Sequence, residues 1–237
     1  MKGKAVVLLS GGLDSTTTLA IARAAGFEAY ALTVFYGQKN RLELERAALI
    51  AKHFAVCEQR VLQIDLSVFG GSSLTTEATI ERHRHREEIG SNIPSTYVPA
   101  RNTILLSLAL AWADSLRARD IFIGVNAIDS SGYPDCRPEF IHAFSHLAQL
   151  ATRTGIEDGA PFQIHTPLAT LSKSEIIRRG LELGVDYSLT ITCYEPTAEG
   201  LSCGVCDSCT LRQLGFQELG LVDPLPYARL GRRANAA

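Results

Sequence analysis

Five apolar residues, Ala5-Val6-Val7-Leu8-Leu9, run directly into Ser10-Gly11-Gly12-Leu13-Asp14-Ser15. An unbroken apolar run of that length reads as a strand buried on both faces, as in a parallel sheet. The two glycines read as a tight turn, because glycine reaches backbone angles that other residues avoid. Asp14, Ser15 and Thr16 open a helix that Leu19, Ala20, Ala22 and Arg23 continue as good helix formers. Strand, glycine turn and helix N-terminus together make an anion cradle. Unpaired backbone N–H groups and the positive end of the helix dipole converge there.

Such turns also join strands to helices where nothing binds, so the glycines alone do not decide the matter. The loop lacks the Gly-Lys-Ser/Thr of a Walker loop and the three-glycine dinucleotide spacing. A carboxylate aimed into a phosphate cradle repels its ligand unless a cation stands between them. Asp14 therefore implies Mg²⁺, or no phosphate at all. SGGLDS at a first strand–helix turn resembles the pyrophosphate loop (PP-loop) of the ATP pyrophosphatases. That superfamily splits ATP between its α and β phosphates and adenylates an oxygen of the substrate. The resemblance implies ATP contacts at Leu8, Leu9, Ser10, Gly11, Gly12, Leu13, Asp14, Ser15, Thr16, Thr17 and Thr18, with Mg²⁺ accompanying the nucleotide.

The rest of the chain continues the β-α alternation. Strands are expected at 28–35, 59–65, 120–125 and 161–165. Helices are expected at 41–54, 103–116, 138–154 and 171–183, the last with Ser172 and Glu175 at capping-box spacing. The fold class expected is α/β: a doubly wound, Rossmann-like parallel sheet of the adenine nucleotide alpha-hydrolase type, with ligands at the carboxyl ends of its strands. One α/β domain spans 1–190. A C-terminal helical zinc-binding segment, 191–237, packs on it. Segment 69–95 is too long for an ordinary connection and reads as a flexible insertion or lid.

The chain has 237 residues, 46% of them hydrophobic, enough for one sizeable core. A net charge of −2 disfavours tight electrostatic binding of nucleic acid. Arg82-His83-Arg84-His85-Arg86 is the local exception, and with Glu87 and Glu88 behind it reads as a solvated, self-paired loop. No apolar run is long enough for a membrane span, and the first strand starts too early to leave room for a presequence. A cytoplasmic protein is expected.

Four of the six cysteines crowd the end of the chain: Cys193, then Cys203-x-x-Cys206-x-x-Cys209. Cytosolic cysteines at that spacing favour a metal over disulfides. Four thiolates make a closed tetrahedral set, so structural zinc is expected, with an iron–sulfur cluster or buried free thiols as alternatives.

The polar motifs fall at the predicted strand ends. Tyr36-Gly37-Gln38 follows the second strand, and Tyr97-Val98-Pro99-Ala100-Arg101-Asn102 precedes the apolar helix. The block DSSGYPDCRPEF, 129–140, follows the fourth strand, and Lys173 opens a later helix. Aromatic rings at Tyr36, Tyr133 and Phe140 suit stacking on a flat base. Gln38, Asp129, Asp135 and Glu139 suit its in-plane hydrogen bonds. Arg101 or Arg137 offers a planar fork for a carboxylate, and Lys173 can meet the charge of departing pyrophosphate. The ordinary alternative for each is loop packing or bracing.

With the cysteine pattern, this series resembles the 7-cyano-7-deazaguanine synthase family of queuosine biosynthesis over nearly the whole chain. Two departures stand out: Asn40 where the family has histidine, and Thr192 where it has serine. The resemblance implies ligation of ammonia to 7-carboxy-7-deazaguanine at the expense of ATP, giving the nitrile. It places Asp14, Lys173 and Arg101 at the chemistry and implies a homodimer. A tRNA-thiolating enzyme of the same superfamily is the rival. It would need reactive cysteines and a basic RNA-binding surface, which the charge does not favour.

Overall fold

A computed structural model describes residues 3–90, 92–126, 132–159 and 161–228. Five parallel strands form the sheet: β1 (Lys4–Leu8), β2 (Glu28–Phe35), β3 (Glu58–Gln63), β4 (Asp120–Phe122) and β5 (Gln163–His165), in the order β3-β2-β1-β4-β5. The doubly wound α/β class expected from the sequence is the one observed. Helices α1 (Leu13–Ala24) and α2 (Leu42–His53) cover one face, and α3 (Arg101–Ser115) and α4 (Pro138–Ala151) cover the other. The pleat explains the division. Ala5 and Val7 of β1, with Leu9 after it, meet Leu19, Ala22, Ala47 and Ile50, while Val6 and Leu8 meet Leu106, Ala109 and Phe144. Chain direction across the sheet reverses between β1 and β4, and a doubly wound sheet opens its ligand crevice at such a point.

Helix α5 (Arg153–Asp158) corrects the sequence reading of one continuous helix over 138–154. The chain leaves helical geometry at Thr152 (φ −124°, ψ 153°). There the hydroxyl donates to Ala148 O at 2.8 Å and accepts from Gly155 N–H at 3.1 Å. A threonine that caps a new helix ends the old one. Helix α6 (Lys173–Glu182) has the expected capping box, with Ser172 Oγ accepting from Glu175 N–H and the Glu175 carboxylate accepting from Ser172 N–H. Among the described residues no helix is long and apolar enough to cross a membrane.

Helix α7 (Asp207–Glu218) and α6 close the molecule against α1. Two buried polar side chains key them in place. Arg212, 1% exposed, pairs with Asp223 at 2.8 and 3.0 Å and donates to Thr190 Oγ1 and Tyr187 O. The Tyr187 hydroxyl lies 2.8 Å from Thr17 Oγ1 of α1 and reaches the Ile176 and Ile177 carbonyls of α6.

Residues 72–90 and 92–98 lie on the cysteine region. Leu74, Ile80 and Val98 join the four cysteines in one apolar cluster. His83 N–H donates to Val205 O at 2.8 Å, Arg84 pairs with Asp207 at 3.0 Å, and Arg82 pairs with Glu195 at 2.6 Å. The basic run thus pairs with the cysteine segment as well as with its own acidic neighbours Glu81 and Glu88, as expected in part.

Gly180 of α6 faces the Tyr187 hydroxyl so closely that a β-carbon there overlaps it. Alanine for a helical glycine normally stabilises by about 1 kcal/mol. At this position overpacking reverses the sign, and Gly180→Ala is expected to cost about 2 kcal/mol. Urea denaturation checks this, and a raised midpoint would count against the Tyr187 packing.

Candidate active site

The crevice at the carboxyl ends of β1, β2 and β4 holds a cavity of about 260 Å³. Leu8, Leu9, Ser10, Gly12, Leu13, Asp14 and Ser15 form one wall. Gly11 is forced by two constraints. Its φ is +85°, and a β-carbon would sit 2.6 Å from Glu43 O and 2.8 Å from Ala47 N of α2. Helix α1 begins at Gly12 without a side-chain cap, so its first N–H groups remain available to an anion. Ser10 Oγ and Ser15 Oγ lie 3.0 Å apart and brace the turn. Thr16, Thr17 and Thr18 turn away from the cavity. Thr16 Oγ1 donates to Gly12 O, Thr17 meets Tyr187, and Thr18 Oγ1 is buried near Gly124.

Asp14 does not stand alone. Lys173 Nζ donates to both its oxygens, at 2.8 and 2.7 Å, and Asn126 Nδ2 to Oδ2 at 3.1 Å. The capping box of α6 delivers Lys173 to this point from 159 residues along the chain.

The cavity is also lined by Tyr36, Gln38, Arg101, Asn102, Tyr133 and Cys136, and by Glu43, whose backbone lies against Gly11 of the loop. Gln38 bridges Tyr36 and Glu43: Oε1 accepts from Tyr36 N–H at 2.8 Å, and Nε2 donates to Glu43 Oε2 at 3.0 Å. Arg101 donates to the Tyr36 hydroxyl at 3.3 Å and lies over the Tyr36 ring. Burial pushes the Glu43 carboxyl up to about 7, against the opposing pull of Gln38 and Arg101. Leu32, Val34, Leu105, Ile123 and Val125 supply apolar surface to the cavity.

The cysteine region closes the cavity through Ile191, Thr192, Tyr194, Ser208 and Leu211. The sulfurs of Cys193, Cys203, Cys206 and Cys209 are buried and lie within 4.8 Å of one another. A tetrahedral ion with metal–sulfur bonds of about 2.3 Å sets its sulfurs about 3.8 Å apart. Cys203 N–H donates to Cys193 Sγ at 3.2 Å, and Cys206 N–H to Cys203 Sγ at 3.4 Å. Four clustered thiols, with backbone donors already turned to Cys193 and Cys203, can hold a metal ion. Asn40 Nδ2 donates to Cys193 O at 2.8 Å, so the residue that departs from the family histidine braces this cluster.

The remaining sequence candidates divide. Asp129 lies outside the described residues. Asp135 is buried, and its Oδ2 accepts from Asn102 N–H at 2.8 Å, capping α3 where Ala100 is left-handed (φ 53°) and offers no capping side chain. Arg137 and Glu139 are exposed at the start of α4, and Phe140 packs toward Phe144; none of the three lines the cavity. Sequence reasoning missed Glu43, Asn126 and Thr192. Glu43 and Asn126 carry no local motif, and only the fold brings them to the crevice. Thr192 adjoins the first cysteine, and its buried hydroxyl has no hydrogen-bond partner among the described residues.

A family model described as "Queuosine biosynthesis protein QueC" matches residues 4–220. The chain belongs to the QueC family. A relative from Syntrophotalea carbinolica named 7-cyano-7-deazaguanine synthase is 59% identical over 229 residues, covering 97% of this chain and 98% of its own. One of the same name from Desulfatibacillum aliphaticivorans is 56% identical, covering 95% and 97%. The solved NMN synthetase of Francisella tularensis shares the fold at a TM-score of 0.50 and 18% identity, covering 92% of this chain and 77% of its own. QueC membership accounts for the combination of PP-loop, strand-end motifs and cysteine set in one chain.

The capping contact of Asp135 has a measurable consequence in this QueC protein. Asp135→Ala is expected to lower stability by about 1–2 kcal/mol, the usual cost of a lost helix cap. Equilibrium urea unfolding measures it, and an unchanged midpoint would show that the contact contributes nothing.

Proposed function

We propose that this chain is an ATP-dependent carbon–nitrogen ligase that converts 7-carboxy-7-deazaguanine and ammonia to 7-cyano-7-deazaguanine. The observation that carries the reading is one crevice in which the PP-loop faces a wall of aromatic, amide and guanidinium groups, in a member of the QueC family. The triphosphate would lie along Ser10 to Ser15 on the N–H groups of α1, and Asp14 would hold the Mg²⁺ that accompanies it and offsets its charge. Lys173 leaves Asp14 for the phosphates and offsets the charge of departing pyrophosphate. Leu32, Val34, Leu105, Ile123 and Val125 provide an apolar bed for flat rings, and Arg101 and Tyr133 flank the deazaguanine.

The substrate carboxylate attacks the α-phosphate and becomes an acyl adenylate. Ammonia displaces AMP to give the amide. The amide oxygen is adenylated in turn, and loss of AMP leaves the nitrile. Enzyme and substrates meet by positioning and charge, with no covalent enzyme intermediate. AMP and pyrophosphate are the expected products, as the loop's resemblance to the ATP pyrophosphatases implies.

The cysteine set is proposed to hold zinc. All four positions are protein sulfurs, so the ion would brace the wall built from Ile191, Thr192 and Tyr194 rather than act on substrate. Cytoplasmic residence is proposed because the cysteines are unpaired thiols. Segment 69–95 is proposed as a cover for the cysteine end of the crevice, held by the pairs of Arg82 and Arg84. A second copy of the chain is the proposed partner, and Leu147, Leu150 and Ile156 on α4 and α5 are exposed apolar side chains available to it.

Incubation with ATP, ammonium and 7-carboxy-7-deazaguanine is expected to yield the nitrile with AMP. Absence of the nitrile, or ADP as the sole nucleotide product, overturns the reading. Asp14→Ala is expected to reduce turnover at least about 100-fold with an unchanged circular dichroism spectrum; wild-type turnover removes Asp14 from the chemistry. Chelation of the zinc-loaded protein is expected to lower its thermal midpoint, because ion binding adds to folding stability. An unchanged midpoint would sink the structural role of the ion.

A further inference from the structure

The ligation just described sheds protons from nitrogen, and the crevice must accept them. As ammonia adds to the acyl carbon, the new nitrogen must lose one proton while the C–O bond to AMP breaks and AMP leaves with the electron pair. In the second half the adenylated amide loses one N–H proton to become an imidate. It loses the other as the C–O bond breaks, AMP departs and the triple bond closes. Each step balances with one proton passed to a base and no oxidant or reductant.

Few side chains of the crevice can serve. Among the described residues lining it, the carboxylates are Asp14 and Glu43. Asp14 is bound by Lys173 and Asn126 here, and in the reading above it serves the Mg²⁺ of the nucleotide once Lys173 moves to the phosphates. Lys173 and Arg101 are cations, and burial pushes the Tyr36 hydroxyl up, away from any role as a base. Glu43 differs. Gln38 holds its Oε2 at 3.0 Å, and no side-chain hydrogen bond engages its Oε1 among the described residues. Its backbone is pinned beside the PP-loop by the close approach of Gly11 to its carbonyl. The carboxylate is therefore oriented by one oxygen and available through the other, next to the loop where the adenylate forms.

We propose that Glu43 Oε1 is the general base that takes the nitrogen-bound protons as the amide and then the nitrile form, returning each to solvent before the next step. The proposal rests on the ligase reading above and adds to it a residue that no sequence motif singled out. Gln38 acts as the positioning residue. Titratable and charged groups facing Glu43 are Tyr36 and Arg101, with Asp14, Lys173, Tyr133, Tyr194, Cys136 and Arg212 along the same cavity. Burial holds the Glu43 carboxyl near 7, where a base is effective at neutral pH. The sign is fixed by the role: the base acts deprotonated, so turnover falls as pH drops through that value.

The decisive experiment uses 7-amido-7-deazaguanine and ATP, because ammonia, which titrates itself, then takes no part. Wild type is expected to show kcat rising with pH through an apparent pKa near 7. Glu43→Gln, which keeps an acceptor for Gln38, is expected to lower kcat for nitrile formation about 100-fold and to lose that limb. Its amide-dependent ATP–pyrophosphate exchange, which precedes proton loss, is expected to fall far less. Equal losses in exchange and nitrile formation, or a retained limb, overturn the proposal. A wild-type profile flat between pH 6 and 8 does so without any variant. If wild type forms no nitrile from acid or amide, the ligase reading itself has failed, and with it the premise for a base.

Discussion

The crevice depends on one contact that admits no side chain. Gly11 turns the chain from β1 into α1 with φ at +85°, and α2 lies directly against it, its Glu43 carbonyl and Ala47 amide where a β-carbon would stand. The same contact performs two tasks. It leaves the N-terminus of α1 open to an anion, and it seats α2 so that Glu43 faces the cavity. Any larger residue would push α2 outward and away from the phosphate cradle.

A second constraint comes from the far end of the chain. The cysteine cluster is not an appendage to the sheet. Its apolar surroundings include Tyr36 and Ile191, so the same packing that surrounds the sulfurs shapes the cavity. Asn40 ties the turn after β2 to the Cys193 carbonyl, and the Arg82 and Arg84 pairs lay the long connection over the same region. The buried pair of Arg212 with Asp223 then fixes α7. A buried guanidinium in this setting is costly unless every donor is used, and here its donors reach Asp223, Thr190 and the Tyr187 carbonyl.

Much of this was legible in the residues. The five strands and most helix positions followed from period and punctuation: β1 and β2 are largely apolar runs, and the capping box marks the start of α6. The continuous helix over 138–154 was the clearest miss: Thr152 fits a helical pattern, yet its hydroxyl competes for the backbone and starts a second helix. The PP-loop, Lys173 and the four cysteines carried local signatures and came together as their chemistry suggested. The DSSGYPDCRPEF block was legible as a unit but not residue by residue. Tyr133 reaches the cavity, Asp135 turns to cap α3, and Arg137 and Glu139 face outward. A turn-rich block reverses direction every few residues, so neighbours in it point to different places.

The sequence by itself determined the class of sheet, the glycine loop at the start of α1 and the cysteine set able to hold a metal, because each is written in a local pattern of residues. Only the tertiary structure decided which charges meet. Lys173 finds Asp14, Asn40 finds the Cys193 carbonyl, and Glu43 lines the cavity with one oxygen bound to Gln38. Such pairings follow from how the crossover helices stack on the two faces of the sheet. Sequence spacing holds no record of that, since the partners lie on separate elements whose approach is set by the packing between them.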